Sequence, residues 1–65
     1  MKIIIAIDIR VNRKYFEEEI EKTNTISLTY YESSTSHSKY FVETKYLTDL
    51  VLIGKIIQAF ENLIP

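Results

Sequence analysis

Residues 26–46 read ISLTYYESSTSHSKYFVETKY, and the way this stretch pairs with itself decides the fold. Ile26, Leu28 and Tyr30 alternate with Ser27, Thr29 and Tyr31, the two-residue period of a strand covered on one face. Residues 33–38, SSTSHS, hold no apolar side chain and read as a loop, after which residues 39–47, KYFVETKYL, return to β-type composition. A hairpin is expected. Opposed residues of an antiparallel pair share a face, so Ile26, Leu28 and Tyr30 should meet members of the set Tyr40, Val42, Thr44 and Tyr46. A slip by one residue would set Leu28 against Glu43 and expose the core set. Tyr31 and Phe41 then share the opposite, outward face.

Working outward, residues 2–9, KIIIAIDI, are short and β-branched, which favours a strand whose two faces are both covered. Residues 12–22, NRKYFEEEIEK, are rich in helix formers, with Phe16 and Ile20 four apart on one side and Asp8 or Asn12 as the alternative caps. A last helix is expected from a Thr48 cap, with Asp49 in its first turn, to about residue 63. Its apolar positions span roughly half the cylinder, wider than the usual stripe of about 100°. Opposite them lie Lys55, Gln58, Glu61 and Asn62, with Val51 as an apolar intruder.

The order strand, helix, strand, strand, helix implies an α+β protein: a two-layer βαββα arrangement with both helices on one face. Its three-stranded sheet is expected to be mixed, in the order 1-3-2, the third strand lying antiparallel between two parallel ones. In element order this resembles a ferredoxin-like fold truncated before its last strand, with Pro65 ending the chain there. That resemblance implies architecture and carries no function.

A chain of 65 residues makes a single small α/β domain spanning 1–65, and 46% apolar content with one Gly and one Pro is the composition of a packed domain. With no Cys and one His, a disulfide framework, a thiolate metal cage and a Cys nucleophile are all excluded, and neither a metal nor a cofactor is expected. One glycine rules out a glycine-rich phosphate loop. Eight Lys+Arg against nine Asp+Glu, a net charge of -1, argues against a domain held mainly by nucleic-acid phosphates. The longest apolar run, residues 3–7, falls far short of the roughly 20 residues needed to cross a bilayer. Asp8 and Arg10 also interrupt any signal-peptide pattern, so a cytoplasmic protein without a membrane partner is expected.

Few residues suggest chemistry. Asp8 stands near the carboxyl end of the first strand, where open sheets often place ligand carboxylates, but no second acid is placed beside it, so it reads as a cap or edge residue. His37 has serines around it and no orienting group, so it reads as a solvated loop histidine. Neither is assigned a catalytic role. Arg10, Arg13 and Lys14 cluster at a helix amino end, where cations oppose the macrodipole, so they are candidates for a phosphate or an acidic partner unless Arg13 and Lys14 pair with Glu17 and Glu18. Glu17, Glu18 and Glu21 form an acidic flank, and Tyr31 and Phe41 offer aromatic anchors, for a protein partner. The stretch KYFVE, residues 39–43, resembles the aromatic third strand of RNA-recognition motifs, without its glycine and second aromatic.

An apolar edge strand with no charge between Ile3 and Ile7 invites pairing. A homodimer is therefore expected, through the first strand (Ile3, Ile5) or the surplus apolar arc of the last helix (Leu52, Ile56, Leu63). Gly54, inside that helix, serves either a close backbone contact or nothing in particular. These features point to a small non-enzymatic protein-binding module, a homodimeric inhibitor or adaptor. Small size, acidic pI and AT-rich coding, suggested by 25 Ile, Lys, Tyr and Asn residues, fit proteins that phages or mobile elements direct against host machinery such as defence systems. The alternative is a single-stranded nucleic-acid or nucleotide binder using Arg10, Arg13, Lys14, Tyr31 and Phe41.

Overall fold

The computed structural model describes residues 1–34 and 36–61. Five elements follow in order: β1 (Ile3–Ile9), α1 (Arg13–Glu21), β2 (Ser27–Ser33), β3 (Ser38–Thr44) and α2 (Leu47–Glu61). The sheet order is β1-β3-β2, as expected. Both neighbouring pairs are antiparallel, so the sheet is antiparallel and not mixed. β1 and β2 do run the same way, but β3 separates them and no parallel ladder forms.

The register explains which side chains are buried. Ile5 and Leu28 flank Val42, while Ile7 and Tyr30 flank Tyr40, giving two rows across the sheet on its inner face. On these rows α1 lays Phe16 and Ile20, and α2 lays Ile53 with Leu50, Ile56 and Ile57 behind it. Because both helices feed one cluster, both lie on the same side of the sheet. The even-to-even register holds from Leu28 to Tyr30 and then breaks. Tyr30 opposes Tyr40, yet Glu32 opposes Lys39, so Tyr31 is one residue too many. Such a bulge bends its strand and sharpens the local twist.

Asn12 caps α1, its Oδ1 accepting from the Tyr15 amide at 3.3 Å. For α2 the expected cap is corrected. Thr48 sits inside the helix, which begins at Leu47, and the turn leading into it is tied to Thr44 at the end of β3. The Thr44 hydroxyl accepts from the Tyr46 amide and donates to the Asp49 carboxylate, while the Asp49 amide bonds back to the Tyr46 carbonyl. Thr44 and Asp49 are both buried, so this link joins the end of β3 to the first turn of α2 away from water.

Candidate interaction surfaces

The outer face of the sheet carries three rows: Ile4, Glu43 and Ser27; Ala6, Phe41 and Thr29; Asp8, Lys39 and Glu32. Both helices lie behind it. Ile4 is 58% exposed, Phe41 46% and Tyr31 45%, large apolar surfaces left in solvent. Tyr31 and Phe41 stack with ring centroids 4.5 Å apart and planes tilted by 23°. Around them the charges are paired: Lys2 with Glu43 at 3.7 Å, Lys39 with Glu32 at 3.2 Å. The Glu32 hydrogen bond holds the Lys39 ammonium above the usual lysine range. The outer face thus has an apolar centre ringed by charges of balanced sign.

On the helix side the geometry is different. Arg13 Nε donates to Glu17 Oε2 at 2.7 Å, and the guanidinium lies 3.5 Å over the Tyr30 ring. The same carboxylate oxygen accepts from the Tyr40 hydroxyl at 3.1 Å. Burial, with that hydrogen bond, pushes the Tyr40 phenol up to about 12. Glu17 and Arg13 are thus engaged within the chain. Arg13 and Lys14 border a shallow cleft whose other walls are Glu17, Glu18 and Glu21, so carboxylates stand where a phosphate would have to lie. Arg10 is exposed just past the end of β1 and is not part of that cleft's wall. Glu18 and Glu21 lie on α1, across the molecule from Tyr31 and Phe41. One flat partner does not reach both sets.

Asp8 and His37, read separately in the sequence, meet: Asp8 Oδ1 lies 3.1 Å from His37 Nδ1. The signal for this was the register, since Asp8 opposes Lys39 and so stands beside the hairpin connection. Both side chains are open to solvent, and among the described residues no three His, Asp or Glu gather as a metal site would need.

Of the apolar residues expected at a dimer contact, Ile5 and Ile56 pack against the core and Ile3 is half-buried. Leu52 is partly exposed, and Leu63 lies outside the described residues. With Leu52, the large apolar residues that the described part of α2 leaves exposed are Leu47 and Val51, these two one turn apart. Leu47 was missed because the expected helix began too late. A Cβ on Gly54 would meet nothing within 4 Å, so among the described residues no close contact requires this glycine. Family models, curated proteins and solved structures yield no match to this chain.

Proposed function

We propose that this chain is a small non-enzymatic protein-binding module, working as a homodimer, whose outer sheet face engages another protein as an inhibitor or adaptor. The observation that carries the reading is the Tyr31–Phe41 stack standing in solvent at the centre of an uncovered sheet with paired charges around it. Stacked aromatics already fixed against each other lose little freedom on binding, which suits them as anchors. An inhibitor of the kind that mobile elements direct against host machinery is the class we favour. In architecture, the β1-β3-β2 order with α1 and α2 behind it is read as the ferredoxin-like arrangement without the strand that would border β1.

The nucleic-acid alternative is weaker because its residues do not converge. Arg13 is bound to Glu17 and Tyr30 on the helix side, whereas Tyr31 and Phe41 face the other way. The test is affinity capture with the wild-type chain and a Tyr31→Ala/Phe41→Ala variant as baits. A protein retained by the first and lost from the second supports the assignment. A set of retained proteins that is the same for both baits contradicts it.

A further inference from the structure

We infer that the partner of the open β1 edge is the β1 edge of a second copy, paired antiparallel about Ile5. This deepens the homodimer reading above and rests on it. Among the described residues the sheet has two edges, and they differ. Along β2 the ladder is broken by the bulge at Tyr31 and carries the charged Glu32, two devices that discourage edge-to-edge pairing. β1 pairs with β3 over seven consecutive residues without a shift, and its free edge shows neither a bulge nor a charge from Ile3 to Ile7.

The side chains select one register. Only registers that keep Ile5 and Ile7 on the core side in both copies preserve the two-layer packing. With Ile5 opposite Ile5, Ile3 faces Ile7, Ile4 faces Ala6, and Lys2 faces Asp8 of the second copy at both ends of the ladder. Large sits against small and plus against minus. A shift one way puts Lys2 against Arg10 and Ile4 against Asp8, and a shift the other way leaves Asp8 with no partner in β1. Lys2 and Asp8 both lie on the outer face at the edge and both are exposed; within the chain Lys2 meets Glu43 only at 3.7 Å and Asp8 meets His37 through one carboxylate oxygen, which leaves each charge open to a further partner from another chain. A two-fold axis through Ile5 is an isologous contact and closes at two copies.

The product is a six-stranded sheet with two Tyr31–Phe41 stacks on one side, their phenylalanines roughly 15 Å apart across three strand spacings of about 4.8 Å. The outer face becomes bivalent.

The experiment is sedimentation velocity on four chains: wild type, Lys2→Glu, Asp8→Lys and the double variant. The wild type should dimerise, and each single variant, now placing like charges together twice, should dimerise about tenfold more weakly or worse. An equimolar mixture of the two single variants should form a heterodimer, and the double variant should recover self-association. The repulsion that Lys2→Glu sets up with Glu43, and that Asp8→Lys sets up with Lys39, persists in the double variant, so recovery reports the contact between copies. If a single variant fails to fold by circular dichroism, the double variant decides alone. A monomeric wild type, single variants as tight as wild type, or a double variant without recovery would each overturn the β1 pairing. None of these changes what capture by the Tyr31–Phe41 face reports.

Discussion

Tyr31 and Phe41 stack with ring centroids 4.5 Å apart, and Tyr31 is also the residue by which β2 exceeds β3 between the Tyr30–Tyr40 and Glu32–Lys39 pairs. An unbroken ladder would set Tyr31 opposite Lys39, diagonal to Phe41; the shifted ladder leaves Tyr31 unpaired on the face where it stacks on that ring. Since the pair is nearly half exposed, it contributes little to folding, and an aromatic pair adds about 0.5–1.5 kcal/mol at most beyond its buried area. Urea unfolding of Phe41→Ala should show a loss of about 1 kcal/mol or less. A loss of several kcal/mol would mean the face is part of the core.

Alkaline pH should loosen the fold through Tyr40. Its folded-state value of about 12 stands above the ordinary value of 10.0. The neutral phenol is therefore favoured by folding, so this stability is fully present below about pH 10 and is lost as pH rises to about 12. Unfolding free energies measured at pH 9 and pH 11.5 should fall less for Tyr40→Phe than for wild type. Equal slopes would contradict the Glu17 hydrogen bond and the burial.

Thr44→Val should cost about 1–3 kcal/mol, because it leaves the buried Asp49 carboxylate without its donor and the Tyr46 amide without its acceptor. Thr44→Ser, which keeps the hydroxyl, should cost less. Thermal unfolding of the two variants ranks them directly.

Gly54→Ala should stabilise by about 1 kcal/mol, since an exposed helix interior gains from alanine and the new Cβ has open space. In a domain this small that gain raises Tm by several degrees. A fall in Tm would place another molecule against Gly54.

Much of the fold was legible in periodicity. The alternation in Ile26, Leu28 and Tyr30 found the inner face of β2 and limited the hairpin to registers that pair even positions with even, since a slip by one would set Leu28 against Glu43; which even pairing forms, Leu28 with Val42 and Tyr30 with Tyr40, came only from the structure. Phe16 and Ile20 were visible for the same reason. Two things were not legible. A bulge depends on how many residues the turn and the partner strand accommodate, and the TYYES stretch alone does not say which of them is surplus. α2 starts at Leu47, one residue before the expected Thr48 cap, and the turn into it is tied to Thr44, a strand residue whose hydroxyl bonds Asp49 five positions on, a link that local cap chemistry does not show. The site followed the same pattern. Strand parity placed Tyr31 and Phe41 outward, but Arg13 and Glu17 looked like surface charges until Tyr40 and Tyr30 were brought under them by tertiary packing.

The most direct test of the central claim is to compare three baits, wild type, Tyr31→Ala/Phe41→Ala and Arg13→Glu, against the captured partner over a salt series. The outer-face account predicts that binding is lost with the aromatic variant, kept within about twofold by Arg13→Glu, and only weakly dependent on salt, as expected for a patch whose rim charges are paired. Binding that survives loss of both aromatics, or that collapses with Arg13→Glu and falls steeply with salt, would contradict it and move the working surface to the basic end of α1.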